Sequence, residues 1–454
     1  MKVKKLLSAL IAGAMALSCF GFTAFADESG FVVNTETKTA TVSSVEGLKT
    51  LAENVNDGNS YSGYTITLTE DIDLAGVEWT PIGADGKPFQ GTFDGGNHII
   101  SNLTINNENL VYAGLFGSCS SNPGEIRNVN LNNVSIKAKS NIGAIAGASF
   151  TTKVTDCKVT GLVQLEGNYK VAGISGGHTY GKVTNCSVNA SDGSYIKATY
   201  TGNDLEGDNV GGIVGLLGEG SSVVTGCSVY NVAISGVRKV GGIAGFAYSG
   251  NTISNCTVEN VTVSYNGENV PSDYSKVFAI GGIVGSFLID NKNINNKLAL
   301  DSISLDTVTV TGREDSPQYA GLYIGSDYSP ATNSVETTMA QVNMSGVTAT
   351  SSNAMNADCK YDGVAVSTEN AGGADGIEET KATGFITTIT GNSALPLNNI
   401  TWDVTYNGTT KSTTEHALNN ITTDGGTVQI GLIVKGFNDN DASAVATING
   451  NITE

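Results

Sequence analysis

A five-residue phrase of two small residues, an aliphatic, a variable residue and Gly returns along this chain and constrains its fold more than any other feature. It reads Ala113-Gly114-Leu115-Phe116-Gly117, Gly143-Ala144-Ile145-Ala146-Gly147, Ala172-Gly173-Ile174-Ser175-Gly176 and Gly211-Gly212-Ile213-Val214-Gly215. It continues as Gly241-Gly242-Ile243-Ala244-Gly245, Gly281-Gly282-Ile283-Val284-Gly285 and a degenerate Ala320-Gly321-Leu322-Tyr323-Ile324-Gly325. The central Leu or Ile stands at 115, 145, 174, 213, 243, 283 and 322, in steps of 30, 29, 39, 30, 40 and 39 residues. A period of this size marks an array of small units, each unable to bury its apolar face without its neighbours.

A second phrase ends twelve to fourteen residues after each of the first six aliphatics: Ile126-Arg127-Asn128-Val129, Val154-Thr155-Asp156-Cys157, Val183-Thr184-Asn185-Cys186, Val224-Thr225-Gly226-Cys227, Ile253-Ser254-Asn255-Cys256 and Ile294-Asn295-Asn296-Lys297. A third, alternating run follows, as in Val134-Ser135-Ile136, Val232-Ala233-Ile234, Val261-Thr262-Val263 and Val308-Thr309-Val310. Alternation of β-branched and polar residues marks half-buried strands. Three strands per 30 residues, separated by Gly or Asn, suit a coil that turns three corners. Glycine adopts positive φ or permits close backbone approach, and Asn tolerates the left-handed region. The expectation is an all-β chain: a right-handed parallel β-helix of about seven or more coils, with Leu115, Ile145, Ile174, Ile213, Ile243, Ile283 and Leu322 stacked inside.

The rod needs a stopper, because an open strand edge invites pairing with other chains. Ser43 to Val55 reads as an amphipathic helical cap, with Ser43 and Glu46 as a capping box and Val45, Leu48, Leu51, Ala52 and Val55 on one face. From Thr383 the pattern changes to strands at 385–389, 400–406, 428–434 and 445–448, with Asn407-Gly408 as a hairpin turn. This predicts a small antiparallel β-sandwich. The domains read as 1–26 signal peptide, 27–105 cap and first coils, 106–350 repeats, 351–381 irregular coil and linker, and 382–454 sandwich.

The glycine phrase joined to Asn-Cys-x-Val resembles the GLUG-type repeats of secreted bacterial proteins, whose architecture is pectin-lyase-like. The likeness continues upstream through Thr65-Ile66-Thr67-Leu68, Asp71-Ile72-Asp73-Leu74, Trp79-Thr80-Pro81-Ile82-Gly83 and Phe89-Gln90-Gly91-Thr92-Phe93-Asp94-Gly95, with His98, Ile99 and Ile100. It covers about residues 43 to 325 and implies the fold rather than an activity. The C-terminal part is similar to modules on secreted proteins of anaerobic Gram-positive gut bacteria.

Lys2, Lys4 and Lys5, the apolar run Leu6 to Phe22 and Ala24-Phe25-Ala26 before Asp27 read as a secretory signal cleaved after Ala26. A lipoprotein anchored at Cys19 is the alternative. No later stretch reaches the length of a membrane span. With 43 acidic against 24 basic residues and a formal charge of -19, the chain is unsuited to nucleic acid.

The chemistry-bearing residues are sparse. Cys157, Cys186, Cys227 and Cys256 occupy one slot in four repeats and read as a buried stack, with disulfides between coils left open in an exported chain; Cys119 and Cys359 lie off that stack. His98, His178 and His416 are scattered. His178, after Gly176-Gly177, is the one catalytic hint for a carbohydrate-active enzyme, and it lacks acids on the preceding coil. Asp71 with Asp73, or Asp439 with Asp441, read as turn residues rather than a calcium site. No catalytic residue, metal or cofactor is assigned. Phe150, Tyr180, Tyr248, Phe287 and Tyr328 stand four to six residues past their aliphatics. Aligned, they form a ridge that could stack on sugar rings. The expected function is an exported, non-enzymatic, adhesin-like surface protein that binds extended glycans or surface proteins. A polysaccharide lyase or hydrolase, or a purely structural spacer, is the alternative.

Overall fold

The computed structural model describes residues 24–26, 29–84, 86–120, 124–202, 207–248, 250–268, 270, 279–288 and 298–311, and beyond these only the course of strands between 319 and 452. Its first part is a β-helix of stacked parallel strands. One coil shows the plan. Asp208–Gly211 lies in a six-stranded sheet, Val214–Leu217 in a seven-stranded sheet, Val223–Thr225 in a twelve-stranded sheet, and Ser228–Tyr230 with Ala233–Gly236 in a second twelve-stranded sheet. The coil therefore has four faces, where the sequence predicts three strands. The glycine phrase is the reason: it spans a corner. Gly211 ends one strand, Ile213 points inward at the bend, and Val214 opens the next.

Leu115, Ile145, Ile174, Ile213, Ile243 and Ile283 are all fully buried at this corner, and Leu322 lies outside the described residues. Their backbones continue the ladder, with Ile174 N–H donating to Ile213 O at 3.2 Å, Ile213 to Ile243 at 3.0 Å and Ile243 to Ile283 at 2.9 Å. Burial of each side chain stabilises by about 1.5 to 3 kcal/mol. The last glycine of the phrase has a steric cause. A Cβ on Gly245 would sit 2.4 Å from Val210 N, and one on Gly285 2.4 Å from Val240 N, on the neighbouring strand across the bend.

Positive φ is carried mainly by asparagine columns rather than by the glycine phrase. Asn128, Asn185 and Asn255 have φ of 54°, 53° and 52°, and Asn102, Asn133, Asn231 and Asn260 have φ of 52° to 60°. Asn relieves the left-handed strain through its short polar side chain. Those side chains also bond along the rod: Asn102 Nδ2 donates to Asp73 Oδ1 at 2.7 Å, Asn133 to Asn102 at 3.3 Å, and Asn260 to Asn231 at 2.8 Å. Asp71 accepts the Ile99 N–H at 2.9 Å and Asp73 the Ala75 N–H at 2.9 Å, which is turn and ladder chemistry. Asp439 and Asp441 lie outside the described residues, as do His416 and Cys359.

The sixth copy of the second phrase is displaced. Ile294 to Lys297 lie outside the described residues, and the strand paired in register is Leu298–Asp301, with Ile253 opposite Leu300. The insertion that lengthens this repeat moves the strand past the residues that imitate it.

At the start, Phe31–Asn34 pairs antiparallel with Thr39–Val42, which pairs parallel with Thr65–Leu68. The helix Val45–Asn56 buries Leu48, Leu51, Ala52 and Val55. Its N-cap is Ser44, not Ser43: Ser44 Oγ accepts the Gly47 N–H at 3.0 Å, Ser43 N–H donates to Gly30 O, and Glu46 pairs with Lys49 instead of reaching back. Ala24–Ala26 pairs antiparallel with Val32–Asn34; residues 1–23, with the remainder of the expected signal and Cys19, lie outside the described residues.

The C-terminal strands Val364–Gly372, Glu378–Thr390, Ile400–Tyr406, Thr409–Thr413, Thr427–Phe437 and Val445–Ile452 join in one antiparallel sheet. Tyr406 pairs with Thr409, and Asn407-Gly408, expected as the turn between them, lie outside the described residues. Val364–Gly372 falls in the stretch read as linker, whose Gly-rich composition hides a strand.

Candidate functional site

The sheet that follows the glycine corner presents alternate residues outward, and the register decides which aromatics share a line. Phe150 pairs with Thr179, and Tyr248 with Leu288, which pairs with Tyr328. One outward column therefore runs Ser120, Phe150, Thr179, Gly218, Tyr248, and the backbone register continues it through Leu288 and Tyr328. Phe150 is 48% exposed. Tyr180 stands one residue beyond the column, at the corner with φ of 56°, and is 51% exposed. The two rings still meet edge to face, centroids 5.4 Å apart. The Tyr180 ring lies across Gly220, where any Cβ would collide with it. Tyr248 is half-buried and edge-on to buried Phe246 at 5.4 Å. The side chain of Tyr328 is outside the described residues.

Phe287 does not belong to this face. It is 1% exposed and pairs with Ala247, in the inward column of Ser149, His178 and Leu217. Four residues past the aliphatic is the wrong parity, so the side chain turns into the coil. His178 shares that fate. It is fully buried, with Nδ1 2.6 Å from Ser149 Oγ, and Ser149 Oγ lies 3.1 Å from Ser175 Oγ. Burial lowers its pKa to about 4, so the imidazole is neutral at pH 7. The serine-histidine contact lies inside the coil, closed off from solvent, with His178 Nε2 left without a hydrogen-bond partner.

Cys157, Cys186, Cys227 and Cys256 are buried free thiols that form no disulfide, as is Cys119 in the inward column beside Ser149. Each stacked thiol points at backbone oxygens, as Cys157 Sγ does at Thr155 O at 3.3 Å. Burial pushes the Cys119 and Cys186 thiols up, and the neighbouring sulfur pushes up Cys227 and Cys256. These five thiols should resist a thiol reagent in the native protein and react after denaturation. Full oxidation of the four-residue stack would overturn this expectation. Among the described residues no cluster of three or more His, Cys, Asp and Glu is placed to hold a metal.

A polar cluster beside the aromatic column was missed from sequence. Tyr169, Asp208 and Arg238 share one slot on successive strands before the glycine corner, and Lys170, Asn209 and Lys239 share the next, with φ of 54°, 59° and 56°. Asp208 is 1% exposed. Arg238 Nη2 donates to Asp208 Oδ2 at 2.7 Å, Arg238 Nε to Oδ1 at 2.5 Å, and Lys239 Nζ lies 3.4 Å from Oδ2. Burial raises the Asp208 pKa, and Lys239 and Arg238 oppose it. Tyr169, hydrogen-bonded to Asn209, is pushed up to about 12 by burial first and by the Asp208 charge second. Lys170 Nζ stands 4.8 Å over the Tyr169 ring and Lys239 Nζ 4.6 Å over Phe246. The available signal was the repeat alignment, which sets an acid and an arginine 30 residues apart in one slot.

No family model matches the chain. Part of it is 32% identical over 136 residues to halomucin of Haloquadratum walsbyi, covering 27% of this chain and 1% of that protein. Another match is 34% identical over 97 residues to a protein of Evansella cellulosilytica named "Putative Gly-rich membrane protein", covering 19% of this chain and 11% of that one. The chain thus spans a small fraction of either relative. A crystal structure from Bacteroides ovatus, described as a "putative immunoglobulin A1 protease", superposes with a TM-score of 0.40 at 20% identity, covering 70% of this chain and 77% of that one. Among the described residues no helix is long and apolar enough to cross a membrane.

Proposed function

We propose that this chain is an exported, non-enzymatic surface rod that holds extended glycans on the outward face following its glycine corners. The exposed Phe150 and Tyr180 pair carries the reading. Two large rings half open to solvent on a rigid sheet cost free energy unless they meet a partner, and a sugar ring offers apolar C–H faces to such a platform. Half-buried Tyr248 lies in the column of Phe150 three coils along, a spacing that suits a long ligand held by several weak contacts. The resemblance to GLUG-type secreted proteins and the secretory signal expected at residues 1–26 support an extracellular place for it.

The test is a glycan and mucin array probed with the mature chain, followed by titration of any hit in increasing lengths. Affinity should rise with length. Phe150→Ala with Tyr180→Ala should lower it by about tenfold, a loss near 1.4 kcal/mol, while the melting temperature moves only a few degrees. A large drop in melting temperature with unchanged binding would assign the pair to packing. Products released from a polysaccharide by the purified chain would make it an enzyme and end the non-enzymatic reading.

A further inference from the structure

We infer that the corner beside the aromatic column selects acidic glycans, taking their carboxylate or sulfate groups on Lys170 and Lys239; this rests on the glycan-binding reading above and names its ligand class. The two lysines occupy one slot, separated by Asn209. At about 4.8 Å per coil they are spaced by roughly 10 Å along the rod. Each ammonium stands over a ring, Lys170 over Tyr169 and Lys239 over Phe246. Those rings seat the lysines; a sugar acid needs a cation for its charged group beside an apolar surface for its ring face, and that surface is the exposed Phe150 and Tyr180 pair.

Charge complementarity gives the corner its selectivity. The chain as a whole carries -19, so a polyanion is repelled from most of its surface. Here two cations, Arg238 and Lys239, face the single carboxylate of Asp208, and Lys170 stands two coils away in the slot of Lys239. Among the described residues Asp208 is the carboxylate that acts on Lys239 and Tyr169. Arg238 grips both oxygens of Asp208, so Lys239, a longer contact at 3.4 Å, can engage a ligand while Asp208 stays paired. Lys170 forms no ion pair among the described residues. Burial lowers its pKa, and a partly dehydrated ammonium gains more from an anion than one in open water.

The experiment titrates the full mature chain with an oligogalacturonide and with its carboxyl-reduced counterpart of the same length, at low and raised salt. The acidic oligomer should bind about tenfold or more tighter, with the margin shrinking as salt rises. Lys170→Gln with Lys239→Gln should remove the preference and leave the neutral oligomer's affinity unchanged, and Lys→Arg at both positions should restore it. Equal affinity for the two oligomers, or a preference that survives loss of both lysines in a protein with unaltered melting, overturns the inference while leaving glycan binding intact. Failure of both oligomers and of the wider array overturns the inference together with the reading beneath it.

Discussion

Ile243→Asp abolishes cooperative unfolding of the rod, while Thr262→Lys leaves the melting curve nearly where it was. Ile243 is 0% exposed and sits between Ile213 and Ile283 at the glycine corner, its N–H and C=O both engaged in the ladder. Truncating such a side chain costs about 2 to 5 kcal/mol from lost contacts and the cavity alone. A carboxylate adds the penalty of burying a charge with no partner, several kcal/mol more after relaxation. The sum rivals the whole stability of a domain, about 5 to 15 kcal/mol. Because coils contact mainly their neighbours, the break falls in the middle of the stack and uncouples the two halves. Thr262 is exposed, between Ala233 and Thr309, so a lysine there meets no like charge in line and should shift stability by no more than about 0.5 kcal/mol. Thermal melts followed by circular dichroism decide it. Equal effects of the two changes would contradict the inside and outside faces.

Asp208→Ala should destabilise the protein by about 3 to 5 kcal/mol, the second largest single effect expected. The change takes from Arg238 the carboxylate that its Nε and Nη2 hold, and it leaves Lys239 and Arg238 close together in a half-dry corner without that counterion. Adding Arg238→Met should recover most of the loss, because an apolar side chain of similar length removes the stranded charge and fills the space. Urea midpoints of the two variants measure the difference. A single variant within about 1 kcal/mol of the parent would mean that solvent already screens the pair.

The repeat itself determined a great deal. The period, the inward aliphatic row, the half-buried strands and the stacked cysteines are local signals, set by alternation, by Gly and by Asn, and among the described residues each appears where the sequence puts it. The tertiary structure alone decided what depends on counting across coils. Tyr248 stands five residues past its aliphatic and faces out, while Phe287 stands four past and faces in, so a row drawn at four to six residues mixes the two faces. A one-residue difference in a strand turns the side chain to the opposite face. The same dependence on register buried His178 against Ser149 and moved the sixth second-phrase strand to Leu298–Asp301. It also brought Asp208 onto Arg238, a contact between residues 30 apart that no local pattern specifies. Periodicity is a property of the chain and survives in the sequence. Facing and pairing are properties of the stack, and they exist only once each coil has settled on the one before it.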